Sequence, residues 1–427
     1  MANQNNQKVC IIGLGYVGFP LAVLCSIKGY EVYGFDKDEK KLARIEKGEN
    51  IVEEKYLNDI LPKAKINIIR DESEMKNCGI FVIAVPTPVD EKYYPDLKYV
   101  VSASETVAKN MKKGSLVIVE STINPGVCEE FVKPIFEKAG FTVGQDVHIS
   151  HCPERINPGD SKWNVTNIPR VAGSFDEKGL EKTLDFYRSI VDAEIMPMKT
   201  VFEAEAVKIM ENSFRDINIA FVNELAKSFH LMGIDITNVI RGAATKPFSF
   251  LPHWPSCGVG GHCIPVDPYY LIEKAKENDF DHQFLKMARS INNSMPEYTV
   301  EILQDALNEI KKPMKDTPVG LLGVSYKANV GDLRESPVLK IIELLKESGA
   351  KLEIFDPFVP GLSTVKSAED LLEKSEAVVL ATNHKEFLKI IPEKFKEKGI
   401  KVLVDGQNCL DKDKFLELGI VYKGIGR

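Results

Sequence analysis

The residues best suited to covalent chemistry lie in one short segment, Gly258-Val-Gly-Gly-His-Cys-Ile-Pro-Val-Asp-Pro268. A cysteine thiolate is a strong nucleophile toward a carbonyl carbon. The glycines before Cys263 let the backbone approach a ligand closely and leave the thiol little steric cover on one side. Asp267 follows four residues later, near enough to bind a water molecule or orient a neighbour. Most cysteines are inert core residues, but these neighbours favour a nucleophile.

A zinc site is the alternative for this region, because His253, Cys257, His262 and Cys263 lie close together in the sequence. The paired Cys-x-x-Cys spacing is missing and glycines fill the gap, so we predict that no metal binds. The eight cysteines of the chain show no framework spacing, which is typical of reduced thiols in the cytosol.

Lys208 and Asn212 are four residues apart in a long apolar repeat, so they share one face of a helix. Burying a lysine in an apolar stripe costs free energy, unless its ammonium forms an ion pair or has a functional role. Its ammonium and the asparagine amide could stabilise an oxyanion. The alternative is a lysine whose ammonium reaches water from the edge of the stripe.

Glu154 follows another strand, in Cys152-Pro-Glu-Arg155, and a carboxylate at a sheet edge could act as a general base. The alternative is an ion pair with Arg155 or Arg170.

Taken together, these groups suit a two-stage oxidation. An alcohol gives a hydride to an acceptor, and the thiolate captures the aldehyde. The adduct then gives a second hydride, and water hydrolyses the thioester.

A dinucleotide-binding fingerprint opens the chain. Gly13-Leu-Gly-Tyr-Val-Gly18 follows a short apolar strand and precedes a helix. Gly13 permits the tight turn, Gly15 lets the backbone approach a pyrophosphate, and Gly18 lets helix and strand pack closely. Asp36 ends the second strand. A carboxylate in this position accepts hydrogen bonds from the ribose diol and repels a 2′-phosphate. The sequence therefore favours NAD over NADP. The alternative is a glycine-rich turn in a flavodoxin-like sheet.

Two more segments end predicted strands and suit a cofactor wall, Val85-Pro-Thr-Pro88 and Glu120-Ser-Thr122. Their small side chains and prolines also suit ordinary loops. The residues predicted to contact the cofactor are Gly13, Gly15, Tyr16, Val17, Gly18, Asp36, Pro86, Thr87, Thr122 and Arg334.

Elements that position these residues alternate between strand and helix, which predicts an α/β fold. Strands are predicted in the first part at 8–13, 31–35, 80–85, 116–120 and 148–150, and later at 318–322, 351–355, 377–381 and 401–404. Residues 202–232 form one helix with an apolar residue every three or four positions. We therefore expect two doubly wound Rossmann-like domains joined by a long central helix. The expected domains are 1–200 for NAD, 201–312 with the cysteine loop and a dimer interface, and 313–427 for the nucleotide sugar.

The composition is that of a globular protein, with 44% hydrophobic and 27% charged residues. A net charge of −7 argues against nucleic-acid binding, which needs clustered lysines and arginines. We expect no signal peptide and no membrane span, and therefore a cytoplasmic protein.

The chain resembles the UDP-glucose/GDP-mannose dehydrogenase family over nearly its full length. Seven ordered motifs carry the resemblance: Ile12–Gly18, Val85–Pro88, Glu120–Thr122, Cys152–Arg155, Glu205–Arg215, Gly260–Cys263 with Asp267, and Tyr326-Lys327 through Gly331–Ser336.

The resemblance implies an NAD-dependent oxidation of the C6 alcohol of a nucleotide sugar, with Cys263 as the nucleophile. It implies that Lys208 and Asn212 stabilise the oxyanion, and that Asp267, Glu154 and Thr122 handle protons and water. Lys327 would contact the substrate, and Arg334 would reach the NAD pyrophosphate. The implied substrate-binding residues are Glu154, Arg155, Lys208, Asn212, Lys246, Gly260 and Lys327. Members of the family are usually dimers built on the central helix, with a shared active site.

The cysteine loop looks like that of the branch acting on UDP-N-acetylhexosamines, because Val266 stands where UDP-glucose enzymes usually have a lysine. Cys152-Pro-Glu-Arg-Ile-Asn-Pro-Gly159 resembles the enzymes that act on UDP-GlcNAc or UDP-GalNAc more than those that act on the mannosamine sugar. The product would serve surface polysaccharide or glycan synthesis. One departure concerns an arginine that the family places some fifteen residues before the cysteine. Lys246 or Arg241 would take its place here.

Other readings are a UDP-N-acetylmannosamine or UDP-glucose 6-dehydrogenase, and a two-electron hydroxyacid dehydrogenase of the 6-phosphogluconate type. The latter shares the first domain and a lysine–asparagine pair but does not need Cys263. A catalytically silent NAD-binding regulator would not need the cysteine, lysine and asparagine. A zinc-dependent alcohol dehydrogenase is disfavoured by the ligand spacing.

Overall fold

The computed structural model describes residues 7–52, 55–90, 94–156 and 162–427. These residues form two compact units. The first contains the chain up to Glu211 together with Tyr269–Asp279, and the second contains Asn212–Pro268 and Phe280–Arg427. The three-domain division remains a prediction, since the segment 201–312 contributes to both units.

An eight-stranded sheet forms the centre of the first unit. Its strands are β1 (Lys8–Ile12), β2 (Glu31–Phe35), β3 (Ile66–Ile68), β4 (Ile80–Ile83), β5 (Ser115–Val119), β6 (Val147–His151), β7 (Arg170–Ser174) and β8 (Ile195–Pro197). Their order is β3-β2-β1-β4-β5-β6-β7-β8, and every pairing is parallel except β6 with β7. After β3, at one edge, the chain crosses to the other side of β1 to form β4. The direction in which strands are added therefore reverses between β1 and β4, and open α/β sheets bind ligands at the carboxyl ends of the strands at such a switch point.

Helices cover both faces of this sheet. They are α1 (Gly18–Ile27), α2 (Glu39–Glu46), α3 (Lys55–Ile60), α4 (Lys98–Asn110), α5 (Lys133–Lys138) and α6 (Glu177–Ile190). Strand β1 shows why both faces need cover, because its side chains alternate between two apolar cores. Val9 and Ile11 belong to one core, and Cys10 and Ile12 belong to the other.

The long helix predicted from the apolar repeat is present as α7 (Val201–Leu231), which is 31 residues long. It begins and ends one residue earlier than predicted. Its residues as far as Glu211 belong to the first unit, and those from Asn212 belong to the second.

A five-stranded parallel sheet forms the centre of the second unit. Its strands are β9 (Pro318–Leu322), β10 (Lys351–Phe355), β11 (Ala377–Leu380), β12 (Val402–Asp405) and β13 (Val421–Gly424). Their order is β10-β9-β11-β12-β13. The remaining helices of the chain are α8 (Ile236–Ala243), α9 (Asp267–Lys276), α10 (Gln283–Asn293), α11 (Met295–Glu309), α12 (Pro337–Glu347), α13 (Ala368–Glu373), α14 (Pro392–Glu397) and α15 (Lys412–Glu417).

The α/β class, the parallel sheets and the central helix confirm the predicted fold class. The prediction did not include β3, β7, β8 and β13, three of which are three or four residues long. Strand β7 begins with the fully buried Arg170, so hydrophobic patterning alone does not identify it. Among the described residues, no helix is long and apolar enough to cross a membrane.

Candidate active site

The three fingerprint glycines lie where β1 meets α1, and each has a different environment. Gly13 has φ +91°, and a Cβ there would lie 2.5 Å from the Ala84 carbonyl oxygen. A Cβ on Gly18 would lie 1.9 Å from the Gly13 carbonyl oxygen. A Cβ on Gly15 would meet no atom within 4 Å. The turn and the packing of α1 therefore require the first and third glycines, while the backbone at Gly15 is open to a ligand.

Asp36 follows β2 and is held by three donors. The backbone N–H of Leu14 and the Lys41 ammonium donate to its Oδ2 at 2.8 and 2.7 Å, and the Asp38 N–H donates to its Oδ1 at 3.0 Å. Burial raises the pKa of Asp36, but these donors outweigh it and the net pKa is lowered. The side chain is therefore an anion at neutral pH.

A cavity of about 350 Å³ adjoins Asp36. Gly13 and Pro86, both predicted cofactor contacts, also line it, together with Lys37 and Lys41. A carboxylate at the wall of such a cavity can accept the two hydroxyls of a ribose. The cavity therefore fits the adenosine half of a dinucleotide.

The other predicted cofactor residues of this unit lie at the same end of the sheet. Val17 is the residue before α1, and Tyr16 beside it is exposed. The Thr87 carbonyl accepts a hydrogen bond from the Tyr270 hydroxyl, which fixes the segment after β4. Thr122 is half-buried, three residues after β5 ends. Their contacts with a cofactor remain predictions.

A buried polar network connects the ends of three strands. Arg170 is fully buried and donates to Glu120 Oε1 at 2.7 Å and to Glu154 Oε2 at 2.8 Å. The Tyr187 hydroxyl donates to the second oxygen of Glu120 at 2.9 Å. This is the ion pair that was the alternative reading of Glu154. Sequence reasoning did not find the roles of Glu120 and Tyr187, because neither lies at a diagnostic spacing.

The two carboxyls of this network differ in charge. Burial raises the pKa of Glu120 to about 7. The positive charge of Arg170 lowers this pKa, and the negative charge of Glu154 raises it. Burial also raises the pKa of Glu154, but Arg170 and the N–H groups of Arg155 and Ile156 outweigh it, so its pKa is lowered. Both N–H groups donate to Glu154 Oε1, at 2.6 and 2.7 Å. Glu154 is therefore a fixed anion.

The Arg155 side chain is held by its own partners. Its guanidinium donates to both oxygens of Glu211, one of them at 3.2 Å, and to the Pro169 carbonyl at 2.8 Å. The motif Cys152-Pro-Glu-Arg155 is thus fixed on both sides. The rest of the predicted substrate motif, Asn157–Gly159, lies outside the described residues.

Lys208 lies in the first-unit part of α7 and is buried, with 7% of its surface exposed. No group in the described part of the chain forms a hydrogen bond or ion pair with it. One turn earlier on α7, Glu205 is fully buried and accepts the N–H groups of Gly126 and Cys128 at 2.7 and 2.9 Å. Burial raises the pKa of Glu205 to about 7. A buried lysine without a protein partner is costly, which favours its use on a ligand.

The cysteine loop and Asp267 are adjacent in the second unit. The Cys263 carbonyl accepts the N–H groups of Val266 and Asp267 at 3.0 and 2.8 Å, which places Cys263 one turn before α9. Asn212 donates from its amide to Asp267 Oδ2 at 2.6 Å, and both side chains are buried. The Asn212 oxygen accepts from Arg215 at 2.7 Å. The structure thus joins Asn212 to Asp267, a contact that the sequence did not predict.

Cys263 differs from most other thiols of the chain. It is partly exposed, as is Cys409, while the other six cysteines are buried, and none of the eight forms a disulfide. Burial raises the pKa of Cys257, the other cysteine of the predicted loop, to about 12. Cys257 is therefore an inert core thiol. Within the described ranges no cluster of His, Cys, Asp or Glu is arranged to hold a metal ion.

The glycines of the cysteine loop have a packing role that the sequence did not predict. A Cβ on Gly260 would lie 2.5 Å from Tyr326 Cβ, and one on Gly258 would lie 2.5 Å from Pro337 Cβ. Gly261 has φ +92°, and its N–H donates to the Arg334 carbonyl at 2.9 Å. The loop therefore lies directly against the segment 326–337.

That segment carries two predicted site residues, Lys327 and Arg334. Lys327 is half-buried in the loop after β9. Arg334 forms a bidentate ion pair with Asp332, with its Nη2 2.6 Å from Oδ2. This pair raises the pKa of Arg334, and Cys263 contributes in the same direction. A cation is thus fixed near the thiol, and its predicted contact with NAD stays a prediction.

Lys246 and Arg241, the predicted substitutes for the missing loop arginine, are both exposed in the second unit. The Lys246 ammonium lies 4.9 Å from the centre of the Phe248 ring. Arg241 donates to the Asn238 side chain at 3.3 Å. Neither cation has a carboxylate partner among the described residues, so both are open to an anionic ligand.

Comparison with known protein families decides the identity. Domain profiles of the UDP-glucose/GDP-mannose dehydrogenase family match this chain in order: the NAD binding domain at residues 7–191, the central domain at 202–294 and the UDP binding domain at 320–412. The chain belongs to the UDP-glucose/GDP-mannose dehydrogenase family. The predicted family, the NAD cofactor and the activity of an NAD-dependent UDP-sugar dehydrogenase are thereby confirmed.

Two characterised relatives match almost the whole chain. The UDP-N-acetyl-D-mannosamine dehydrogenase of Pyrococcus horikoshii is 35% identical over 426 residues, covering 99% of both chains. The UDP-N-acetyl-D-glucosamine 6-dehydrogenase of Pseudomonas aeruginosa is 36% identical over 423 residues, covering 95% of this chain and 98% of its own. A solved structure of the Pyrococcus horikoshii UDP-D-ManNAc dehydrogenase superposes with a TM-score of 0.92, at 34% identity and 99% coverage of both chains.

Proposed function

We propose that this family member oxidises the C6 alcohol of a UDP-N-acetylhexosamine to a carboxylate, with two NAD⁺ reduced per sugar. The two relatives named above support the sugar class. The observation that carries the chemistry is the buried Asn212–Asp267 pair one turn from the partly exposed Cys263. A two-electron dehydrogenase has no need of this arrangement.

The reaction consumes R–CH₂OH, two NAD⁺ and one water, and yields R–COO⁻, two NADH and three protons. NAD held at the Gly13–Gly18 turn and Asp36 would supply the hydride acceptor for each oxidation at C6. Lys208 is proposed to stabilise the negative charge that develops on the sugar oxygen, because the residue is 7% exposed and its ammonium has no described protein partner. Asn212 donates one amide N–H to Asp267 and has a second that can serve the same oxygen.

Cys263 is proposed to capture the aldehyde. A bond forms between Sγ and C6, and the resulting thiohemiacetal loses its second hydride to give a thioester. Water then breaks the S–C6 bond, which releases the carboxylate and restores the thiol. We propose that Asp267 accepts the proton of that water. Two contacts support this role: Asn212 donates to its carboxylate, and its own N–H donates to the Cys263 carbonyl.

For Glu154 we favour the ion-pair reading over proton transfer. Both of its oxygens are engaged, one by Arg170 and the other by two backbone N–H groups. Its low pKa also makes it a weak base. We propose that it fixes the end of β6, while Thr122 and Asp267 contact the reacting water.

The first experiment measures NADH formed per sugar consumed, with UDP-GlcNAc, UDP-GalNAc, UDP-ManNAc, UDP-glucose and GDP-mannose. We expect two NADH from one of the N-acetylated sugars, with UDP-GlcNAc or UDP-GalNAc favoured. One NADH per sugar would refute the four-electron reaction. Turnover of UDP-glucose alone would refute the N-acetylhexosamine class.

The second experiment tests the covalent step with Cys263→Ala. We expect loss of steady NADH production, while binding of NAD and of UDP persists, because neither requires the thiolate. Cys409→Ala is the matched control, since Cys409 is the other partly exposed thiol. Undiminished turnover of Cys263→Ala would refute the mechanism.

We also propose a homodimer, on the basis of exposed apolar side chains in the second unit. On α7, Phe214 and Phe221 are seven residues apart and are 46% and 52% exposed. On α10, Phe284 and Met287 are 67% and 60% exposed. Exposed apolar groups of this size typically mark an interface. Sedimentation of a Phe214→Asp, Phe221→Asp variant should show monomers, and a wild-type chain that is itself monomeric would refute the proposal.

The proposed setting is the cytoplasm, where thiols that form no disulfide, such as the eight of this chain, are maintained. The product, a nucleotide-activated uronic acid, would be a donor for surface polysaccharide or glycan synthesis. Recovery of the protein outside the cytoplasmic fraction after cell fractionation would contradict the proposed location.

A further inference from the structure

The loop after β9, residues 324–329, carries Lys327 and is fixed at its start by Asp356. The N–H groups of Val324 and Ser325 donate to Asp356 Oδ2 at 2.7 and 2.9 Å, and the Ser325 hydroxyl donates to the same oxygen at 2.8 Å. Asp356 is fully buried at the end of β10. In a dinucleotide domain a carboxylate in this position faces a ribose, as is predicted for Asp36 in the first unit. Here it serves the loop instead.

The end of the same loop is fixed by His384. Asn329 has φ +62°, a conformation that costs free energy in a residue other than glycine. Its N–H donates to His384 Nδ1 at 2.8 Å, and its side-chain oxygen accepts the Lys385 N–H at 3.0 Å. Two hydrogen bonds from adjacent residues therefore hold Asn329 in this conformation.

These contacts define the state of the histidine. A backbone N–H can only donate, so Nδ1 of His384 carries a lone pair and the proton is on Nε2. Nε2 lies 3.1 Å from Asp356 Oδ2 and donates to it. Burial raises the pKa of Asp356, but His384 and the N–H groups of the loop outweigh this and hold it well below the usual range. Asp356 is therefore the anion that keeps the histidine in one tautomer.

We propose that His384 is a positioning residue for substrate binding, which holds Lys327 in place through the Asn329 N–H. Asp356 and His384 are both fully buried, so the two anchors form a rigid base under the loop. An anchored loop loses no conformational freedom when the substrate binds. The inference rests on the proposed contact between Lys327 and the substrate.

Two substitutions of His384 each keep one of the two hydrogen bonds that its ring forms. The side-chain oxygen of His384→Asn can occupy the position of Nδ1 and accept the Asn329 N–H. The longer side chain of His384→Gln reaches the position of Nε2 and serves Asp356, leaving the Asn329 N–H without its acceptor. Affinity for UDP is measured by calorimetry on the full-length protein saturated with NAD, and kcat and KM are measured with the sugar found active in the panel.

For His384→Gln we expect the Kd for UDP and the KM for the sugar to rise about tenfold. This is the rise expected if the loop has the binding conformation in only about a tenth of the molecules. The kcat and the KM for NAD should stay within about twofold, because uniform binding is lost and not transition-state binding. His384→Asn should restore the Kd. Equal losses in both variants would show that the ring acts by packing, and would overturn the proposal.

Asn329→Gly provides a test that does not disturb the core. Asn329 is exposed, and glycine adopts its positive φ freely, so only the bond to Lys385 is lost. We expect the Kd for UDP to rise by well under tenfold, because the Asn329 N–H still donates to His384. A rise of about tenfold or more would show that the Lys385 bond is the anchor, and would overturn the proposal even if the His384 variants fail to fold.

Lys327→Ala separates this proposal from its basis. If it weakens UDP binding and His384→Gln does not, only the role of His384 is refuted. If it leaves UDP binding unchanged, the proposed substrate contact of Lys327 fails, and the role of His384 fails with it.

Discussion

Replacing Glu120 by glutamine should stabilise the first unit at pH 8 and leave it unchanged near pH 4.5. Burial raises the pKa of this carboxyl from 4.5 to about 7. The native state therefore keeps the proton over a pH range in which the unfolded chain has lost it. The stabilisation is full below pH 4.5 and is lost as the pH rises through about 7.

The size of the effect follows from the two pKa values. At roughly 1.4 kcal/mol per pKa unit, ionising native Glu120 costs about 3 kcal/mol once the pH is above 7. Glutamine cannot ionise, so Glu120→Gln avoids this cost. Its amide can donate to Tyr187, whose hydroxyl is able to turn and accept, and its oxygen can still accept from Arg170.

Fluorescence of Trp163 provides the assay, because the chain has only two tryptophans and Trp254 lies in the second unit. In a Trp254→Phe background, urea unfolding of the first unit is followed at pH 5 and pH 8 with and without Glu120→Gln. The difference between the two proteins isolates this one carboxyl. We expect a gain that approaches 3 kcal/mol at pH 8 and largely disappears at pH 5.

Glu205→Gln is the matched control, since burial raises the pKa of Glu205 to about 7 as well. Both partners of Glu205 are backbone N–H groups, which cannot accept from an amide. This variant should lose about 1–3 kcal/mol at pH 5, where native Glu205 keeps its proton, and should show the same gain of about 3 kcal/mol between pH 5 and pH 8 as Glu120→Gln. If Glu120→Gln instead lost about 3–5 kcal/mol at pH 8, Glu120 would be an ionised partner of Arg170 and the reasoning would be wrong.

Three further predictions follow from the site. Asp36→Ser should raise the KM for NAD by about 10- to 100-fold and reduce discrimination against NADP, because the ribose loses a charged acceptor; a steady-state comparison of the two cofactors checks this. Gly260→Ala should cost about 1–3 kcal/mol in a urea melt followed by Trp254 in a Trp163→Phe background, since the new Cβ would lie 2.5 Å from Tyr326 Cβ; an unchanged midpoint would show that the loop yields easily. Asn212→Asp should lower kcat most at high pH, because two carboxylates would lie 2.6 Å apart and only a shared proton relieves their repulsion; a flat pH profile would contradict this.

The sequence predicted the elements whose residues follow a simple repeat. The α7 boundaries were placed within one residue, and β10 and β9 were placed as observed, because apolar periodicity reflects burial directly. Strand β7 was missed because its buried Arg170 is neutralised by Glu154 and also donates to Glu120, a residue 50 positions away. No local pattern reports a contact of that separation.

The candidate site shows the same division. The nucleotide fingerprint and Cys263 were identified from local spacing, since each motif is contained within a few residues. The roles of Tyr326 and His384 depend on contacts with Gly260 and Asn329, more than fifty positions away. The loop glycines were assigned to ligand approach, and the structure shows them against protein atoms. A glycine indicates that space is short without indicating what fills it.

Residues 269–279 belong to the first unit although the preceding 57 residues, Asn212–Pro268, belong to the second. Two of these residues contact the first unit. The hydroxyl of the buried Tyr270 donates to the Thr87 carbonyl, and the Lys274 ammonium donates to Glu130 at 2.5 Å. A gene fragment that ends at residue 200 would thus lack a helix that the nucleotide-binding unit needs. Exchange of this unit between relatives would need two separate stretches of sequence to be transferred together. Point substitution is therefore an easier route than recombination by which such an enzyme could change its cofactor.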